Sequence, residues 1–258
     1  MRVLRVRHQD KSFYASLIED QVVCLDRSLA YDAPIPLREI QLLPPVAPTK
    51  VVCAAVNYRS HADEVGLPVP DEPVLFFKPP SAVIPAGQPI VLPRVSTRVD
   101  YEAELAVVIG RPCRHAAPDK VAAHIFGYAC ANDVTARDLQ KKDGLYGRAK
   151  GFDTFAPIGP WIETEVADPG SLGLRTLVNG EVRQQGDTSD MIFPVLELVS
   201  FISRVMTLFP GDVILTGTPP GIGPLAAGDE VRVEIDGVGV LINPVVAEEE
   251  TAAGGLIQ

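Results

Sequence analysis

The sequence predicts a mainly β protein with few helices, and three observations carry that expectation. Residues 1–27 alternate apolar and polar side chains in three short runs, broken at His8-Gln9-Asp10-Lys11 and Glu19-Asp20, the pattern of a small antiparallel meander. Beyond Asp153 the apolar runs are short and joined by turn dipeptides, Asn179-Gly180 and Asp236-Gly237, that favour two-residue hairpins. Only Pro194–Thr207 keeps a long helical spacing, with Val195, Leu198, Val199, Ile202 and Met206 forming one apolar stripe opposite Glu197 and Arg204.

Composition bounds the remaining choices. A chain of 258 residues, 47% hydrophobic and 22% charged, can bury a substantial core as one large domain or a domain with a small appendage. No apolar run reaches the roughly 18–20 residues of a membrane span, and Met1-Arg2-Val3-Leu4-Arg5 alternates where a signal peptide would be uniformly apolar, so the cytoplasm is the expected location. Cys24, Cys53, Cys113 and Cys130 are far apart, which suggests free thiols and neither a zinc knuckle nor a disulfide frame. A net charge of −10 disfavours nucleic acid as a partner and requires a local positive site for any anionic substrate.

Taken in order, the meander is followed by Pro34, Pro36, Pro44, Pro45 and Pro48, which remove backbone donors and mark a connector. The expected division is therefore a small N-terminal β-domain with connector over residues 1–48, a catalytic domain over 49–246, and a disordered acidic tail over 247–258. Lys50–Val56 reads as a buried strand, and the polar segment Asn57-Tyr58-Arg59-Ser60-His61-Ala62-Asp63-Glu64 follows it abruptly. If that segment is helical, His61 and Glu64 share a face, where the carboxylate can hold the imidazole in one tautomer; a charged first turn of a surface helix gives the same pattern. Gly66, Pro68 and Pro70 make the adjoining stretch a candidate mobile loop.

Val74–Lys78 is an apolar strand ending in a lysine that either contacts substrate or snorkels to the surface. A strand at 89–93 precedes Asp100–Ile109, the stretch of greatest interest. Glu102 and Glu104 alternate onto one face of an extended chain, roughly 6–7 Å apart, in a row that continues through Ala106 and Val108. Two carboxylates at the head of an apolar row need a cation or a shared proton between them unless they face solvent. Pro118–Phe126 then reads as a short helix ended by Gly127, Tyr128–Asp133 as a strand, and Thr135–Lys142 as one or two helical turns that put Arg137 and Gln140 together. Thr216-Gly217-Thr218-Pro219-Pro220-Gly221-Ile222-Gly223 lacks the Gly-Lys-Ser/Thr of a nucleotide loop, although its amides and the Thr218 hydroxyl could clasp a carboxylate. Neither a Gly-x-Ser-x-Gly elbow nor a His-Glu-x-x-His pair is present.

The ordered set Asn57-Tyr58-x-x-His61-x-x-Glu64, Glu102-x-Glu104, Asn132-Asp133-x-Thr135-Ala136-Arg137-Asp138, Lys150-Gly151-Phe152-Asp153 and Thr216-Gly217-Thr218-Pro219 resembles the fumarylacetoacetate hydrolase family over about residues 50–244. Val178–Glu181 and Ser189–Phe193 look most like its acylpyruvase and oxaloacetate decarboxylase branch. The family's large members carry a further aspartate ligand with no counterpart here, which disfavours fumarylacetoacetate as substrate.

The resemblance implies a mixed β-roll, mainly antiparallel, with short peripheral α-helices, and a homodimer. It implies Mg²⁺ or Mn²⁺ held by Glu102, Glu104 and Asp133, with Arg137, Gln140, Lys150 and Thr218 around a small anionic 2-oxo acid, and Lys78 joins them as a candidate substrate contact from its place at a strand end. His61, Glu64 and Lys150 are implied to be catalytic, the first two on a lid. Three hard carboxylates leave about three octahedral positions for waters or a chelating substrate. The expected reaction is hydrolysis of a carbon–carbon bond in a 3-acylpyruvate through a metal-stabilised enolate, with His61 activating water. Oxaloacetate decarboxylation and keto–enol tautomerisation or isomerisation of muconate-type diacids use the same enolate without that water, and a non-catalytic metal-binding protein is the reading from another class.

Overall fold

The computed structural model describes residues 1–29, 31 and 33–249. Ten strands form the path of the main sheet, in the order Ile35–Pro36, Gln21–Cys24, Lys11–Ile18, Arg2–His8, Ala156–Glu163, Ile125–Asn132, Ala103–Ile109, Val213–Leu215, Val51–Ala55 and Val74–Lys78. A second sheet runs Glu181–Asp187, Gly173–Val178, Glu230–Ile235, Gly239–Ala247 and Ile90–Leu92, and a small third one joins Thr135–Ala136, Val99–Tyr101 and Gly223–Pro224. Pairing is mainly antiparallel, as the hairpin turns require. The parallel pairs join segments far apart in sequence: Val213–Leu215 with Val51–Ala55, Ala156–Glu163 with Val83–Ile84, and Gly239–Ala247 with Ile90–Leu92.

The Ala103–Ile109 strand is buried along its whole length. Its odd-numbered side chains, Leu105, Val107 and Ile109, share a core with Leu198, Val199 and Ile202 of the Val195–Val205 helix. Ala106 and Val108 point the other way, against Val51, Cys53, Val213 and Leu215. Burial on both faces explains why this strand reads as a continuous apolar run, without polar alternation. It also leaves Glu102 and Glu104, on the even-numbered face, at the one end of the strand where the apolar row stops.

The N-terminal meander packs its own small core of Leu4, Val6, Phe13, Ala15, Val22 and Ile35. It joins the main sheet where Arg2 and Val3 pair with Glu163 and Ile162.

Two expectations need correction. The segment expected to be helical to Phe126 forms only Pro118–Val121 and a 3₁₀ turn Ala122–His124, and the next strand begins at Ile125, which pairs with Ile109. Gly127 lies inside that strand, where a Cβ would stand 2.5 Å from the Glu163 carbonyl oxygen, so the glycine serves close strand approach and does not stop a helix. At the other end, the Gly239–Ala247 strand runs one residue into the expected tail and the Glu248 amide donates to the Leu92 carbonyl; residues 250–258 lie outside the described residues. Among the described residues no helix is long and apolar enough to cross a membrane.

Candidate metal centre and active site

Four strand ends converge at one end of the main sheet. Glu102 precedes the Ala103–Ile109 strand, Asp133 follows Ile125–Asn132, Thr216–Thr218 follow Val213–Leu215, and Asn57 follows Val51–Ala55. Antiparallel pairing of the first two strands fixes Ala103 opposite Asn132, and parallel pairing of the last two brings their carboxyl ends together. The backbone is then stapled by side chains. Asn132 Oδ1 accepts the Glu102 amide at 2.9 Å, the Asp133 amide donates to the Glu102 carbonyl at 2.8 Å, and Asn57 Nδ2 donates to the Thr216 carbonyl at 2.7 Å. Gly217 takes φ +94°, and a Cβ there would stand 2.8 Å from Asn57 Cβ, so the loop can sit this close only as glycine.

Glu102, Glu104 and Asp133 each offer an oxygen within 4.8 Å of the others, and all three are buried. Cations surround them unevenly. Lys150 Nζ donates to Glu102 Oε2 at 2.7 Å and Asp133 Oδ2 at 2.6 Å, Lys78 Nζ to Asp133 Oδ1 at 2.5 Å, and Arg137 Nη2 to Glu102 Oε1. Glu104 instead accepts the Gly217 amide at 2.6 Å and, among the described residues, pairs with no lysine or arginine.

The titration of the two glutamates follows from this asymmetry. Burial would raise Glu102, but Lys150 and then Arg137 outweigh it and hold the carboxyl down to about 2. Burial and the charge of Asp133 push Glu104 well above the usual carboxylate range. Lys150 is itself held above the ordinary lysine value, because Asp133, Glu102 and Glu104 overcome its burial. The cluster is therefore three buried carboxyl groups of which Glu104, with no cation in hydrogen-bond contact among the described residues, favours its neutral form until a cation arrives, and this all-oxygen donor set fits a hard divalent ion such as Mg²⁺ or Mn²⁺.

A cavity of about 610 Å³ opens onto this cluster. Of the residues expected from the sequence, Glu102, Glu104, Asp133, Arg137, Gln140, Lys150, Thr218 and His61 line it. His61 Nδ1 lies 2.9 Å from Glu64 Oε2 on the Arg59–Val65 helix, while Glu64 Oε1 accepts the Gly221 amide at 2.7 Å. Glu64 thus stands behind the imidazole and off the cavity wall, tying the helix to the glycine loop. Asp190 caps the same helix from outside, accepting the Ser60 amide at 3.1 Å and the Ser60 hydroxyl.

Lys78 is the correction among the site residues. It is fully buried beneath the cluster, with Nζ committed to Asp133 Oδ1 and, at 3.1 Å, to the Val134 carbonyl, and it neither snorkels nor reaches the cavity. Burial lowers its pKa even with Asp133 beside it.

Sequence reasoning missed other residues. Asp100 is fully buried on the cavity wall and is gripped by Arg98 Nε at 2.8 Å and Arg137 Nε at 3.0 Å, which fixes the Arg137 guanidinium while its Nη1 donates to Gln140 Oε1 at 2.6 Å. Its signal was the Arg-x-Asp spacing of 98 and 100 on one strand face. Phe76 and Tyr146 stack at 4.6 Å, with Lys150 Nζ 4.9 Å from the Phe76 ring centroid. Lys150 itself lies on a four-residue helix, Gly147–Lys150, too short to leave a periodic pattern.

Fold and site together define a class: residues 50–246 match the family described as Fumarylacetoacetate (FAA) hydrolase C-terminal, and the chain belongs to that family. Among curated relatives, it is 46% identical to the human mitochondrial oxaloacetate tautomerase FAHD2A, over 85% of this chain and 74% of that protein. Among solved structures, it is 45% identical to 5-carboxymethyl-2-hydroxymuconate delta-isomerase from Mycobacterium smegmatis, with a TM-score of 0.89 over 97% of this chain and 100% of that one. It is 33% identical to maleylpyruvate hydrolase from Sphingobium sp. SYK-6, solved with manganese(II) and pyruvate, with a TM-score of 0.83 over 96% of this chain and 100% of that one.

Proposed function

We propose that the chain is a divalent-metal-dependent enzyme of small 2-oxo acids, and that it catalyses keto–enol tautomerisation at the carbon beside the 2-oxo group. The observation that carries this reading is the His61–Glu64 pair, placed on the wall of the same cavity as the Glu102, Glu104 and Asp133 cluster. Glu102, Glu104 and Asp133 would hold a divalent ion, which would supply Lewis-acid polarisation of a substrate 2-oxo group. Glu64 accepts the Nδ1 proton of His61 and leaves Nε2 as the ring's base. In the keto-to-enol direction Nε2 takes the proton from C3 and hands the same proton to the 2-oxo oxygen; in the other it takes the enol hydroxyl proton and delivers it to C3, with Glu64 balancing the transient imidazolium charge. Lys150 and Arg137 offset the negative charge of the substrate, and Val65, Leu67 and Leu145 give the cavity wall an apolar part.

Carbon–carbon hydrolysis, which the sequence placed first, is kept as the second reading because the same Nε2 can take a proton from water, and a maleylpyruvate hydrolase shares the fold. The order changes because the tautomerase and isomerase relatives are the more similar proteins.

The test is a substrate panel with Mg²⁺ or Mn²⁺: enol oxaloacetate, acylpyruvates and hydroxymuconate-type diacids, with products identified. Accelerated ketonisation is expected, and His61→Ala should lower it by about 10²–10⁴ while metal binding persists. Cleavage of acylpyruvates without tautomerisation would replace this reading by hydrolysis. Metal binding without turnover of any panel member would leave a binding protein.

A further inference from the structure

We propose that Gln184 is a positioning residue that fixes the Thr218 hydroxyl as a hydrogen-bond donor into the substrate cavity. The inference rests on the proposed 2-oxo acid reading and adds a residue to it. Gln184 is 1% exposed, and its amide makes four hydrogen bonds. Oε1 accepts the Ala103 amide at 3.0 Å and the Thr176 hydroxyl at 2.8 Å; Nε2 donates to Thr218 Oγ1 and to the Pro219 carbonyl, each at 2.9 Å.

The orientation of that amide is not free. The Ala103 N–H can only donate and the Pro219 carbonyl can only accept, so the oxygen of Gln184 must face the first and its nitrogen the second. Thr218 Oγ1 is therefore an acceptor toward Gln184, and its own proton remains for another partner. Thr218 lines the cavity and is 3% exposed, so the acceptor left for that proton is a cavity occupant. An anionic oxygen of a 2-oxo acid suits it, since a hydrogen bond to a charged acceptor is stronger than one to water.

The backbone around Gln184 is built for this task. Opposite Thr176 the register shifts, so that Gln184 pairs with Thr176 and Val182 with Leu177, and the bulge sets the direction of the Gln184 side chain. The loop bearing Thr218 lies directly on this strand: a Cβ at Gly186 would stand 2.4 Å from Pro219 Cβ, and one at Gly221 2.5 Å from the Arg183 carbonyl oxygen. Ala103 lies between the two cluster glutamates. One amide thus holds the carboxylate strand and the substrate loop in a single register.

The test is a double-mutant cycle read by calorimetry with oxalate, on protein saturated with Mg²⁺. Gln184→Met and Thr218→Val should each weaken oxalate binding by roughly 10- to 100-fold, and the double variant should bind no more weakly than either. Losses that multiply in the double variant, or a Gln184→Met protein that melts lower yet binds oxalate as the wild type does, would make Gln184 a structural residue only. Gln184→Glu gives a second cycle should the methionine variant not fold. It keeps the acceptor for Ala103 but draws the Thr218 proton toward its second oxygen, so its loss of oxalate affinity must be larger with Thr218 present than in the Thr218→Val background. Equal losses in both backgrounds would overturn the proposal. Wild-type protein that binds Mg²⁺ but not oxalate would instead remove the 2-oxo acid reading, and the inference with it.

Discussion

Replacing Lys78 by methionine separates a residue that shapes the cluster from one that touches substrate. The Lys78 and Asp133 side chains are both 0% exposed, so solvent does not screen their pair. Removing one partner of a buried ion pair costs about 3–5 kcal/mol. Two features of the structure place this case at about 3 kcal/mol, the lower end of that range. Asp133 keeps Lys150 at 2.6 Å on its other oxygen, and the variant no longer buries an ammonium whose burial already lowers its pKa. Methionine preserves most of the buried stem. Thermal unfolding without metal should therefore shift down by about 6–12 °C, at roughly 2–4 °C per kcal/mol for a domain near this size. Added Mg²⁺ should restore more stability to the variant than to the wild type, because the ion supplies the charge that Lys78 gave Asp133. The assay is a pair of melting curves for each protein, with Mg²⁺ and with chelator. An unchanged melting temperature, accompanied by a raised KM, would return Lys78 to the role of a substrate contact and refute the geometry argued above.

Other outcomes follow from the same contacts. Glu102→Gln, Glu104→Gln and Asp133→Asn should each weaken Mg²⁺ binding in calorimetry, and unchanged affinity in all three would remove the metal site. Of the three, Glu104→Gln should cost the metal-free protein least stability, because among the described residues that carboxylate makes no ion pair and burial already favours its neutral form. Asp212 accepts the Thr49, Lys50 and Phe209 amides, the Thr49 hydroxyl and Lys50 Nζ; burial would raise its pKa, but Lys50 and these donors hold it below the ordinary 3.8. A depressed folded pKa gives stability that is present above about pH 3.8 and is lost as pH falls through the folded value. Asp212→Asn should cost about 1.5–3 kcal/mol at neutral pH and flatten the acid limb, so acid-unfolding curves parallel to the wild type would contradict it. Oxalate with Mg²⁺ should slow amide exchange over residues 59–68 if His61 belongs to a lid, and exchange unaltered by ligand would mean a fixed wall.

The parts of the site that were legible in the sequence are those whose chemistry is written locally. Glu102 and Glu104 share a strand face, His61 and Glu64 share a helix face, and Arg137 and Gln140 do the same, so a spacing of two or three residues was enough to group them. Lys78 was misread because burial is a tertiary property, and a lysine that closes an apolar strand looks the same whether it ends in water or under Asp133. Gln184 left no trace, since Ala103, Thr218 and Pro219 come from distant segments and only Thr176 lies across its own hairpin. Gly127 was read as punctuation because a glycine that ends a helix and one that admits a neighbouring strand are identical until the second strand is placed. The largely antiparallel order could be anticipated from Asn179-Gly180 and Asp236-Gly237, but no turn announces the parallel pairs, which have no short connection to carry a signal.

One of those parallel pairs governs how the chain can reach its working state. The Val213–Leu215 strand is wedged between Val51–Ala55 and Ala103–Ile109, and it brings Thr216–Thr218 against Asn57 and Glu104. The named site residues run from Asn57 to Thr218, so no fragment that stops short of either of these can assemble the site. Closing loops of that length is entropically slow relative to forming hairpins. The meander and the late hairpins are local and can form early, whereas the carboxylate cluster, its cations and the Thr218 loop come into register only when the wedge is inserted. Competence to bind thus waits on the insertion of that one strand.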